Sequence, residues 1–138
     1  MKKYIYVAIG GALGALLRYA IKIIDFSNLF SAFPINTFII NISGSFLIAL
    51  ILTFASKKRC LNENIKVFLT TGFLGAFTTF STFCRDTVGL MEKGIYITAL
   101  VYIAFSIVLG MLAAYLGYKL SLSIMSRREK EIEEEQAG

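Results

Sequence analysis

Hydrophobic positions in this chain come in long runs that do not alternate with period two. Four runs stand out: residues 4–24, interrupted by Arg18 and Lys22; a charge-free run inside residues 26–56; residues 65–84, with charges only at the ends; and residues 94–118, again free of charge. A helix needs about 20 mostly apolar residues to cross a bilayer, and barrel strands would be shorter and alternating. The pattern predicts an all-α integral membrane protein with four transmembrane helices. The connections are short and polar: Lys57-Lys58-Arg59-Cys60-Leu61-Asn62-Glu63-Asn64 between the second and third runs, and Arg85 to Lys93 between the third and fourth. Residues 127–135 are nearly all charged, as in a solvated helix extension or a disordered end. The organisation expected is a four-helix transmembrane domain over residues 1–120 and a charged cytoplasmic tail over 121–138.

Composition narrows the chemistry. Of 138 residues 57% are hydrophobic and 17% charged, where a soluble domain keeps about a quarter charged. There is no His, which removes imidazole bases, Ser-His-Asp triads and His-type metal sites. The two cysteines, Cys60 and Cys84, form no CxxC pair and no disulfide framework. Lys2-Lys3 ahead of an apolar run resembles a signal peptide, but three further spans follow, and Arg18 sits where small cleavage-site residues belong. With four spans both termini share a side. That side carries ten Lys and Arg (Lys2, Lys3, Lys57, Lys58, Arg59, Lys66, Lys119, Arg127, Arg128, Lys130); the other carries four (Arg18, Lys22, Arg85, Lys93). The positive-inside rule places both termini in the cytoplasm. The net charge of +5 is that of cytoplasmic loops and calls for no nucleic acid.

Polar groups inside hydrocarbon are costly without a partner and so mark function or helix–helix adhesion. Thr37, Asn41 and Ser45 are spaced by four in the second run; Thr98, Tyr102 and Ser106 are spaced by four in the fourth, with Gly110 continuing the row. Each set lies on one helical face. Together they fit a shared wet path or interhelical hydrogen bonding. All are neutral, and the first, second and fourth runs hold no embedded Asp or Glu, which argues against a proton-coupled exporter. Hydroxyl and amide donors with Arg18 nearby favour an anion over a cation.

The third run reads Thr70-Thr71-Gly72-Phe73-Leu74-Gly75-Ala76-Phe77-Thr78-Thr79-Phe80-Ser81-Thr82-Phe83. Its glycines and hydroxyl residues compete with helix formation, so a mid-membrane break around 75–79 and a continuous helix with back-bonding threonines are both open. A break would free carbonyls that suit a cation such as Na⁺. Phe77, Phe80 and Phe83 recur every three residues; such rings usually pack, but their electropositive edges also tolerate a small anion. Gly10 and Gly14 form a GxxxG pair, and Gly110/Ala114 and Ala113/Gly117 are small-xxx-small pairs, which point to close helix contacts and oligomerisation. No strand precedes the glycines, so they are not a dinucleotide loop.

The segment from Gly72 to Phe83 resembles the signature of the Fluc/CrcB fluoride channels. Gly10-Gly11-Ala12-Leu13-Gly14-Ala15-Leu16-Leu17-Arg18-Tyr19 resembles that family's first helix, and Asn36 to Phe46 its second, so the likeness covers about residues 4–118. The resemblance implies a four-helix subunit with its third helix broken mid-membrane, assembled as an antiparallel dimer with two pores in a prokaryotic plasma membrane. It implies passive, selective fluoride export that relieves fluoride toxicity, with no enzymatic activity. A structural Na⁺ at the dimer interface would be held by the backbone carbonyls of Gly75 and Thr78. Asn41, Phe80, Phe83, Tyr102 and Ser106 match the fluoride pore; Thr37, on the stripe of Asn41, is placed with them. Arg18 matches the vestibule arginine. Fluoride and membrane lipid are the partners implied.

A subunit that inserts both ways should balance its Lys and Arg, yet the count here is ten to four, or six to four without Lys119 and the three tail residues. This points to a chain of fixed orientation paired with a sister subunit; homodimer and heterodimer are the two alternatives. The alternative function is a small coupled exporter of the multidrug-resistance type, which shares size and span count. A non-transporting scaffold would explain the GxxxG pairs but not the hydroxyls of the third run.

Overall fold

The structure, a computed structural model, describes residues 2–24, 32–58 and 62–137; Cys60 and Arg59 lie outside them. Every element described is helical: α1 (Lys2–Lys22), α2 (Ile35–Lys58), α3 (Glu63–Val67), a π-helical stretch (Phe68–Leu74), α4 (Gly75–Phe77), α5 (Phe80–Glu92) and α6 (Tyr96–Ala137). The chain from α3 to α5 is one interrupted passage. Among the described residues, four helical segments are long and apolar enough to cross a membrane: Lys3–Lys22, Ile35–Ser56, Glu63–Glu92 and Tyr96–Arg128.

Local chemistry sets the ends. Pro34, whose fixed φ suits a helix start, precedes α2, and its carbonyl accepts from the Phe38 N–H at 3.1 Å. The Asn36 amide reaches back to the carbonyls of Ile21, Lys22 and Ile24 at 2.8, 3.2 and 2.9 Å, which ties the end of α1 to the start of α2. Gly94 stops α5 with φ +75°, a left-handed conformation that glycine adopts without steric cost. Its N–H donates to the Met91 carbonyl at 2.9 Å.

One boundary differs from expectation. The segment read as a loop from Arg85 to Lys93 is helical through Glu92. The break at 78–79 restarts the helix, and thirteen residues rising about 20 Å are needed to reach the far side. The charged residues Arg85 and Asp86 are therefore carried on the third span. At the other end, α6 runs 42 residues without interruption, about 63 Å, twice a hydrocarbon core. The charged tail continues it, as the helix-extension reading of residues 127–135 has it.

The small-residue motifs act within the protomer. A Cβ at Gly10 would stand 2.5 Å from the Phe68 carbonyl, one at Gly72 2.8 Å from the Val7 carbonyl, and one at Gly14 would overlap the Phe73 carbonyl. The GxxxG face of α1 is thus filled by the π-helical stretch. Gly117 likewise admits the Phe46 backbone, so α6 lies directly on α2. These two close-contact faces are used within the protomer. Two small cores result: Ile40, Leu74 and Phe77, and Leu90, Ala99 and Tyr102. Large apolar residues such as Tyr4, Leu16, Ile97 and Met111 face outward, as hydrocarbon surroundings allow.

Candidate functional site

The third span is broken at Thr78 (φ −73°, ψ 155°) and Thr79 (φ −150°, ψ 115°), both extended. A break inside a membrane strands backbone groups that water cannot reach. Asn41 resolves this for Thr79: its Nδ2 donates to the Thr79 carbonyl at 3.1 Å, and the Thr79 N–H donates to its Oδ1 at 2.9 Å. The pairing fixes which end of the amide is nitrogen. Thr79 Oγ1 then accepts from the Thr82 N–H at 3.2 Å and caps α5. Gly44 makes room for the Thr78 side chain, which a Cβ there would strike. Asn41, Gly44, Ser45, Thr78, Thr79 and Phe80 line an open cavity of about 270 Å³.

This pairing and the Thr79 cap together take up the donors of the carbonyls expected to hold a cation. In a continuous helix the Gly75 carbonyl would accept from Thr79 N–H and that of Thr78 from Thr82 N–H. Both donors are spent, on Asn41 Oδ1 and Thr79 Oγ1. Neutral carbonyl oxygens released at a helix break are a donor set that fits Na⁺. Among the described residues no cluster of three His, Cys, Asp or Glu offers an alternative metal site.

The polar stripe of α2 faces the third span along its length. Above Asn41, Thr37 is 2% exposed and donates from Oγ1 to Asp86 Oδ2 at 2.6 Å. Below it, Ser45 back-bonds to the Asn41 carbonyl at 2.8 Å. On α6, Tyr102 is fully buried beside Thr37 and Asp86. Its hydroxyl and that of Ser106, one turn on, have no hydrogen-bond partner among the described residues. Two unpaired buried hydroxyls on one helix face are expensive, at about 1–3 kcal/mol each, and call for an acceptor.

The phenylalanine row is divided by the break. Phe77 is core, stacked on Phe73 with centroids 6.0 Å apart. Phe80 and Phe83 belong to α5 and stack at 5.9 Å; Phe83 in turn meets Tyr102 at 5.1 Å. Phe80 lines the cavity yet is 78% exposed on the single protomer. Phe33 completes the group, edge-on to Tyr102 at 5.3 Å. Arg18, on α1, is half-buried, and no hydrogen bond or ion pair ties it to this group among the described residues.

Asp86 escaped the sequence reading because it was placed in a loop. It is a half-buried carboxylate on a membrane-spanning passage, bonded to Thr37. The third span thus carries an embedded acid, where the first, second and fourth runs hold none. The legible signal was the 83, 86, 90 spacing, which puts Asp86 on the face shared by Phe83 and buried Leu90.

Among the described residues, four helical spans, one of them broken mid-passage and clamped by Asn41, define a multi-pass membrane protein built around a discontinuous helix. The chain belongs to the CrcB family: residues 5–118 match the family model described as CrcB-like protein, camphor resistance. It is 39% identical over 121 residues to a protein of Azobacteroides pseudotrichonymphae, covering 88% of this chain and 97% of that one. It is 44% identical over 115 residues to one of Acidobacterium capsulatum, covering 83% and 92%, and 42% identical over 122 residues to one of Oceanobacillus iheyensis, covering 88% and 93%. Each of these relatives is named fluoride-specific ion channel FluC. The four spans and these bacterial relatives make the chain a multi-pass protein of the plasma membrane.

Proposed function

We infer that this protein is a passive fluoride channel. The observation that carries the reading, beside the names of its relatives, is the pair of buried, unpartnered hydroxyls at Tyr102 and Ser106. A small anion is the acceptor these donors lack, and neutral hydroxyls hold it without trapping it. The Asn41 amide, which lines the cavity and carries two hydrogens on Nδ2, adds a donor, and the rings of Phe80 and Phe83 have positive edges. Hydrogen fluoride enters cells as the neutral acid and dissociates in the near-neutral cytoplasm; the channel lets the anion leave down its gradient and so lowers its toxicity.

We further propose that the working unit is an antiparallel dimer with a structural Na⁺ held by the carbonyls of Gly75 and Thr78. Supporting the dimer, Phe80 lines the open cavity but is bare in one protomer, as a ring that a second subunit would cover. Supporting Na⁺, both carbonyls lose their helical donors. The excess of Lys and Arg on the side of the termini favours pairing with an oppositely oriented sister chain over a homodimer. The test is fluoride efflux from liposomes containing the purified protein, read with a fluoride electrode, with chloride as the paired control. Fluoride release without chloride release supports the channel. Chloride release at the same rate overturns its selectivity. Absence of fluoride release both alone and with a co-expressed sister chain overturns the reading.

A further inference from the structure

The line of polar groups does not stop at Asp86. On its far side, at the end of the molecule away from the termini, Asp86 opens into a separate cavity of about 350 Å³ lined also by Arg85, Lys93, Pro34 and Gly89. Arg85 is the side chain of α5 next to Asp86, largely exposed, with Nε 3.9 Å from Asp86 Oδ1, too far for a good hydrogen bond. Lys93 follows the last turn of α5, and no ion pair holds it among the described residues. The cavity thus holds two cations against one carboxylate whose other oxygen is taken by Thr37. An anion leaving the Tyr102–Thr37 region meets Asp86, whose charge repels it. Two cations at the same place reverse the sign of the local field.

We propose that Arg85 and Lys93 form a cationic mouth that collects small anions at this end of the permeation path and offsets the charge of Asp86. The proposal rests on the reading of the protein as a fluoride channel. Neither side chain touches the narrow part of the path. They act on the concentration of anion at the mouth and not on passage through it. Attraction of this kind is long-range in dilute electrolyte and screened in concentrated salt, since the Debye length falls from about 30 Å at 0.01 M to about 3 Å at 1 M.

The experiment compares the wild type with the double variant Arg85→Gln/Lys93→Gln in liposomes, over a range of fluoride concentrations, at low and high ionic strength set with an impermeant salt. The expected result at low ionic strength is a rise of about three- to tenfold in the half-saturating fluoride concentration, with the maximal rate unchanged. At high ionic strength the two proteins should converge, and Arg85→Lys/Lys93→Arg should behave as wild type throughout. An unchanged half-saturating concentration at low salt overturns the mouth. So does a maximal rate lowered equally at both salt concentrations, which a merely structural role would give. A wild type that passes no fluoride, even with a sister chain, overturns the channel reading and the mouth together; a conducting wild type with an indistinguishable double variant removes the mouth alone.

Discussion

Asn41 and Thr79 are joined by two hydrogen bonds, one in each direction, between a side-chain amide on α2 and the backbone of the broken third span. The arrangement is a peptide-like bridge across two helices. It lets the third span stay open in a solvent that offers no hydrogen bonds.

Asn41→Ala should destabilise the protein by about 2–4 kcal/mol, because both the N–H and the C=O of Thr79 are left unsatisfied. Asn41→Asp keeps an acceptor for the N–H but removes the donor and places a negative charge on the cavity, so fluoride flux should be suppressed. Thermal unfolding in detergent and fluoride efflux check the pair. Wild-type flux in Asn41→Asp would take Asn41 out of the path and leave it as a clamp.

Tyr102→Phe separates transport from stability. The hydroxyl has no partner among the described residues, so its loss orphans no hydrogen-bonding group and the unfolding temperature should hold or rise. Fluoride flux should fall about tenfold or more, the worth of one hydrogen bond to a charged group. Equal flux would return Tyr102 to packing between Phe33 and Phe83.

Phe80→Ile removes a ring edge at a residue that is 78% exposed in one protomer. Little stability of the protomer depends on it, and the expected outcome is reduced fluoride flux in a folded protein. An unchanged rate would return the ring to packing.

Thr37→Val leaves Asp86 Oδ2 without its donor in a half-buried place. A hydrogen bond to a charged group contributes about 1.5–3 kcal/mol, and a loss of that size should appear in unfolding. Asp86→Asn keeps a polar partner for Thr37 and should be better tolerated. Equal unfolding temperatures for Thr37→Val and wild type would show that this hydroxyl does not hold the carboxylate.

Gly14→Ala should destabilise by about 1–3 kcal/mol, since the added methyl meets the Phe73 carbonyl and backbone cannot swing aside as a side chain can. Ala at Gly89, where a Cβ would meet nothing within 4 Å, is the control and should stay near wild type.

Much was legible in the sequence because hydrocarbon allows few solutions. Runs of about 20 apolar residues must be helices, so the spans and their number followed from composition along the chain. The stripes at 37, 41, 45 and at 102, 106 followed from helical spacing. Whether the third helix broke did not follow. Thr and Gly lower the helix preference of residues 70–83 without deciding it. The break exists because Asn41, nearly forty positions away, supplies both hydrogen bonds that Thr79 loses. The division of the phenylalanines also came from the fold: Phe77 lies before the break and is core, while Phe80 lies after it and is bare. Asp86 looked like a loop residue because charge ends a span in any count along the sequence. Only the tertiary structure brings Thr37 within 2.6 Å of it. Periodicity reports which residues share a face; which face meets which, and who satisfies a stranded backbone group, is decided by helices packing in space.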